Sequence, residues 1–148
     1  MILDRENNVA AALAIAGTGN LLATDVIDLG ADRDIGAGSE LHFYHLLTVA
    51  AAAGGTSVEF QIITSDDATF SSGVTVIDTT GAILTASLPL GYLNFRRLPR
   101  AANFGKYDRY VTSRLVRVGT FTGTAAYSGG ITYDTTDFKQ YYAVTPYN

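Results

Sequence analysis

The residues that could do chemistry in this 148-residue chain are few, and their spacing argues against most of it. His42 and His45 are the only histidines. On a strand, a separation of three residues turns them to opposite faces, so they cannot share a metal ion. Asp32-Arg33-Asp34-Ile35-Gly36 has the opening rhythm of a calcium loop, but Ala37 and Phe43 stand where an EF-hand needs glycine and glutamate. A looser cation site would draw on Asp32, Asp34, Asp66 or Asp67, and turn-capping explains those aspartates better. Ala14-Ile15-Ala16-Gly17-Thr18-Gly19-Asn20-Leu21-Leu22 superficially matches a dinucleotide-binding loop. Its third glycine position is Leu22, however, and Thr24-Asp25-Val26-Ile27 reads as strand where a pyrophosphate needs a helix. No Gly-x-Ser-x-Gly elbow, His-Glu-x-x-His motif or phosphate loop occurs. The absence of cysteine removes disulfides, thiolate zinc sites and thiol nucleophiles. The sequence therefore predicts no catalytic residue, no metal and no cofactor.

The elements that would position any functional surface read as strands. Residues 41–49, 57–64, 74–77, 109–118 and 130–133 are rich in β-branched and aromatic residues and are separated by Gly, Ser, Thr and Asp. In the second of these, Val58, Phe60 and Ile62 alternate with Ser57, Glu59 and Gln61, the pattern of a strand with one buried face. Ala23 to Leu29 reads as an earlier strand, residues 64–73 as a self-capping loop, and residues 82–107, with Pro89 and Pro99, as an irregular connection. A hydrophobic content of 47% with 16% charged residues fits a globular domain. The expected architecture is all-β: an antiparallel β-sandwich with jelly-roll character over residues 23–148, preceded by an extended N-terminal arm over residues 1–22. The run Val9 to Ala16 is too short and too closely followed by Gly17 to fold alone. The arm is expected to dock on a neighbouring subunit through Ile2, Leu3, Val9, Leu13 and Ile15. The same run lacks a basic leader and the length of a membrane span, so no signal peptide and no membrane contact is expected.

Charge is distributed unevenly. The net charge of −4, which argues against a nucleic-acid partner, divides into −9 over residues 1–95, +6 over residues 96–117 and −1 over the remainder. Seven basic side chains within residues 96–117 could serve a contact with an acidic partner or a second copy, or could neutralise the other half of the same sandwich. Arg96, Arg97 and Arg100, placed in the irregular connection, are the expected contact residues.

The order of several stretches resembles the jelly-roll capsid cement, or decoration, proteins of short-tailed bacteriophages. These are Asn20 to Gly38, Gln61-Ile62-Ile63-Thr64-Ser65-Asp66-Asp67-Ala68-Thr69-Phe70, and Leu88-Pro89-Leu90-Gly91 leading to Arg97-Leu98-Pro99. The last is Arg109-Tyr110-Val111 running into Val118-Gly119-Thr120-Phe121-Thr122-Gly123, ahead of the Gly130-Ile131 strand. The resemblance implies a non-enzymatic virion protein, made in the host cytoplasm, that sits on the capsid exterior. There it would bridge major capsid proteins, as a homodimer at two-fold or quasi-two-fold positions. The alternative is a carbohydrate- or receptor-binding β-sandwich of a fibre or surface protein, although no Trp is present to supply the strongest sugar platform.

Overall fold

A computed structural model of the chain describes residues 7–32, 35, 41–49, 54–100 and 107–132. Its strands are β1 (Asn8–Ala14), β2 (Gly17–Leu22), β3 (Ile27–Asp28), β4 (His42–Val49), β5 (Gly55–Ser65), β6 (Thr75–Thr79), β7 (Ile83–Leu84), β8 (Leu93–Arg97), β9 (Tyr110–Phe121) and β10 (Ala126–Thr132). One sheet has the order β1-β10-β4-β8, and the other has β2-β9-β5-β6. In the second sheet, β3 extends the edge formed by β2, and β7 extends the edge formed by β6. All pairings are antiparallel. When β2/β3 and β6/β7 are each taken as one broken strand, the eight positions follow the double Greek key of a jelly roll. The expected all-β sandwich is present.

Alternation decides which faces meet. Phe43, His45 and Leu47 of β4 point between the sheets, as do Val58, Phe60 and Ile62 of β5 and Val111 and Leu115 of β9. Phe60 meets Tyr127 of the facing sheet edge-on, with ring centroids 5.8 Å apart. Burial of this continuous cluster is the main favourable term, as in any two-layer fold. Close backbone approach sets one residue choice: a Cβ on Gly130 would lie 2.3 Å from the Asn7 carbonyl oxygen, so only glycine lets β1 close on β10.

Two expectations fail. Residues 8–22 are not an arm, because β1 and β2 are edge strands of opposite sheets, joined by a corner at residues 15–16. Val9 and Ile15 lie in this chain's own core and Leu13 packs against it, so these three are not free to dock elsewhere. Ile2 and Leu3 fall outside the described residues. The physical reason is Arg117, which is 8% exposed and turned towards this corner. Its Nε donates to the Gly19 carbonyl at 3.0 Å, Nη1 to those of Ile15 at 3.2 Å and Ala16, and Nη2 to those of Thr18 at 2.9 Å and Asn20 at 3.4 Å. The five N–H donors of a guanidinium thus find five carbonyls, and Gly17 (φ 94°) and Gly19 (φ 73°) adopt the left-handed backbone of that corner without strain.

The second failure concerns residues 82–107. They contain β7, a 3₁₀ turn (Thr85–Ser87) and β8, which pairs with β4 from His42↔Arg97 to Leu46↔Leu93. Arg96 and Arg97 are therefore strand residues. Pro99 follows β8, a placement proline tolerates beyond an edge strand.

The Arg117 account predicts that Arg117→Leu lowers unfolding free energy by about 3 kcal/mol, because several carbonyls lose their donor together. Arg117→Lys should recover only part of this, since an ammonium has three donors in place of five. Urea denaturation measures both, and a loss below about 1 kcal/mol in the leucine variant would contradict the account.

Candidate interaction surface

The polar side chains of the described residues are mostly engaged within the sandwich. Arg96 donates from Nε and Nη2 to the Asp78 carboxylate at 2.6 and 2.7 Å and from Nη2 to the Thr79 carbonyl at 3.0 Å. That fork links β8, the edge of one sheet, to β6, the edge of the other. It raises the pKa of Arg96 and turns a residue expected to meet a partner into an internal clamp. Arg109 grips Asp28 in the same bidentate way at 2.9 and 2.8 Å, holding the Asp28 carboxyl down at about 2. Arg114 donates to Gln61 at 2.8 Å; Gln61 and Thr79 donate to Glu59 at 2.7 and 2.6 Å, which keeps Glu59 ionised below its ordinary range. Arg97 and Arg100 are exposed and line a shallow depression with Leu98 and Pro99.

The aspartates weighed for calcium are likewise committed. Asp67 accepts from the amide and hydroxyl of Thr69 at 2.9 and 2.8 Å and from both groups of Ser71. These bonds pull its pKa well below the usual carboxylate range and close the 67–71 turn. Asp66 accepts the Arg109 amide at 3.3 Å. Among the described residues, no three potential ligands converge on a metal position. Asp34 lies outside them. The glycine-rich stretch at 17–19 presents carbonyls to a guanidinium, the polarity opposite to that required by a phosphate.

One Ser–His contact exists and sequence reading does not find it, because its members are 68 residues apart. His45 Nε2 lies 3.0 Å from Ser113 Oγ, linking the two sheets through the core. Both side chains are buried, and the His45 ring sits 5.1 Å from that of Phe43, 4.9 Å from Phe60 and 6.4 Å from Tyr127. Burial drives the His45 pKa down to about 3; Asp78 opposes that shift and Arg96 reinforces it. The imidazole is a neutral core group sealed from substrate. Burial likewise raises the Tyr127 phenol to about 12, against a weaker opposite effect from Ser113.

Among the described residues, a face that carries exposed hydrophobic side chains stands open. On the outer side of the β2-β9-β5-β6 sheet, Leu84, Ser57 and Val118 stand in one cross-strand row, followed by Glu59 and Val116 and then by Gln61 and Arg114. Leu84 is 62% exposed and Val118 52%. They flank the buried Ser57, beside the Glu59–Gln61–Arg114 network. Hydrophobic side chains next to a polar rim form the usual composition of an interaction patch. Neither residue is among the expected contacts; the alternation of β9 carries the only signal, since Val116 and Val118 share parity with Arg114 and not with the core.

A protein-family model described as Bbp16 matches residues 9–131, from the first strand of the sandwich to the last. No curated protein matches the chain.

Neutral burial of His45 has a testable sign. Unfolded histidine takes up a proton near 6.5, whereas folded His45 refuses it until about 3. The stability is complete above 6.5 and is lost as pH falls, at a slope approaching ~1.4 kcal/mol per pH unit. Urea midpoints should decline from about pH 6.5 to 5, above the windows of Asp28 and Glu59, and His45→Gln should flatten that decline. Equal slopes in the two proteins would contradict the assignment.

Proposed function

The chain belongs to the Bbp16 family, a phage-related family, and from that premise we propose that it is a structural protein of the virion. It binds the outside of an icosahedral capsid and cements neighbouring major capsid proteins. It acts by contact and not by catalysis, needs no cofactor, and pairs with a second copy at two-fold or quasi-two-fold positions. The observation that carries this reading is the destination of the charged groups. Arg96, Arg109 and Arg117 hold strands and edges of the chain's own sandwich. A fold whose polar chemistry is directed inward offers partners a rigid surface, and the Leu84–Val118 row is the apolar part of it.

A cement protein does not require a tight single contact. Many copies on a regular shell multiply weak ones, provided the shape of each is fixed. The jelly roll supplies that rigidity, since it leaves only short edges to pair elsewhere. Edge strand β1 is further guarded: Ala12 adopts φ 50° within the register shift from Ala10 to Leu13, a bulge that bends the strand away from flat pairing.

The test is binding of purified protein to particles of the parent phage that lack it, read by co-sedimentation. The folded double variant Leu84→Asp, Val118→Asp should lose at least tenfold in apparent affinity, because each carboxylate would have to be buried against the partner. Arg97→Gln with Arg100→Gln should change occupancy little at ordinary salt, as exposed charges do. Absence of binding by the unaltered protein would overturn the proposed function; unchanged binding by the aspartate variant would move the contact to another face.

A further inference from the structure

Charge is sorted by the ends of the sandwich as well as along the chain. Residues 7–24, 46–58, 79–95 and 118–132 contain no Asp, Glu, Lys, Arg or His. All four stretches turn at one end: the β1–β2 corner, the end of β4 with the start of β5, the passage through β7 and the 3₁₀ turn, and the β9–β10 turn. Hydrogen bonds make them neighbours there. The Ile15 amide donates to the Ala125 carbonyl at 2.8 Å, the Gly91 amide to that of Leu47 at 3.0 Å, and the Thr85 hydroxyl to that of Gly55 at 2.8 Å. Gly55 in turn pairs with Gly119. Arg117 reaches towards this end, where five carbonyls occupy its donors. The opposite end does carry charge: Asp32 follows β3, Asp66 and Asp67 follow β5, and Arg100 and Asp108 lie between β8 and β9.

The uncharged end also displays apolar side chains. Among the described residues, the exposed large hydrophobics are Val49 (39%), Leu84 (62%), Leu90 (65%) and Val118 (52%), which lie here, and Val76, which lies on β6 towards the charged end. Leu90 has no structural motive. The Tyr92 amide donates to the Pro89 carbonyl at 3.0 Å and Gly91 takes φ 78°, so Leu90 occupies the first inner position of a type II turn. Such a turn favours proline or a polar residue there, and a leucine held in water adds little to the fold. We infer that this end is the seat of the shell contact, and that the capsid surface it takes is itself uncharged and apolar. The inference rests on the proposed capsid role and extends the Leu84–Val118 row around the end through Leu90 and Val49. Charge complementarity selects the partner. A charged patch docked here would lose its hydration and meet no opposite charge, whereas an apolar patch gains by burial. A second copy seated here would cover the Leu84–Val118 row and displace the shell from it. The same seating keeps the charged connections of the opposite end in water.

Co-sedimentation of the full chain with parent particles that lack it tests the inference. The apparent affinity of the unaltered protein should change less than about twofold between about 50 and about 500 mM sodium chloride, because salt screens only charged contacts. Leu90→Asp and Leu90→Lys, both at an exposed turn and both checked for folding by circular dichroism, should each lose at least about tenfold. Val49→Asp should do the same, while Val76→Asp, a comparably exposed valine outside the seat, should bind like the unaltered protein. Full binding by both Leu90 variants, beside a loss in Leu84→Asp with Val118→Asp, would confine the contact to the sheet face and overturn the inference with the capsid role intact. A loss with one sign of charge at Leu90 and not the other, or an affinity that collapses with salt, would mark a charged shell surface and overturn it as well. So would a dimer, seen by sedimentation equilibrium, that Leu90→Asp dissociates, since a second copy would then hold the seat. No binding by the unaltered protein would overturn the capsid role itself, and the inference with it.

Discussion

The sandwich depends on how its first two strands are joined. Chain entropy opposes tying an edge of one sheet to an edge of the other through a corner, and a corner leaves carbonyls that neither ladder can use. Arg117 resolves both problems with one side chain. Its planar fork is rigid, so five bonds cost little additional ordering, and the carbonyl dipoles around it offset part of the desolvation of its charge. At the opposite open side, the bidentate Arg96–Asp78 pair ties β8 to β6. The two layers are thus closed on both flanks by arginine, and His45 with Ser113 adds a neutral bridge through the middle.

That arrangement explains the uneven charge. The basic run at residues 96–117 meets Asp28, Asp78 and Gln61 across strands from the acidic part of the chain. Opposite charges sorted in sequence become neighbours in space, because an antiparallel jelly roll brings late strands against early ones. Neutralisation within one sandwich, which the sequence leaves open beside a partner contact, accounts for Arg96 and Arg109. Arg97 and Arg100 keep their exposure, and their role is part of the partner question.

Legibility followed local chemistry. β4, β5 and β9 were readable because alternation and β-branching are strong there, and the Asp67 turn because Asx chemistry is local. β1 and β2 were not: alanine and glycine look like loose chain until a guanidinium 97 to 102 residues away is placed beside them. β8 was obscured by the prolines that bracket it and by its half-buried pattern, typical of an edge. Among the candidate contacts, Val9 and Ile15 are ambiguous in sequence because an apolar stretch near a terminus can fill a core or dock on a neighbour, and only the register decides. The open Leu84–Val118 row is not legible in sequence because β7 has two residues and no periodicity.

A sandwich braced from within, a family match that spans it and a partly apolar outer face are what the proposed capsid role rests on. The most direct test is a cryo-electron microscopy reconstruction of the parent particle at side-chain resolution. The account predicts jelly-roll density on the capsid exterior, bridging adjacent major capsid subunits, with the sheet that carries Leu84 and Val118 against the shell. Density for this chain in a fibre, inside the shell, or nowhere on the particle would contradict it.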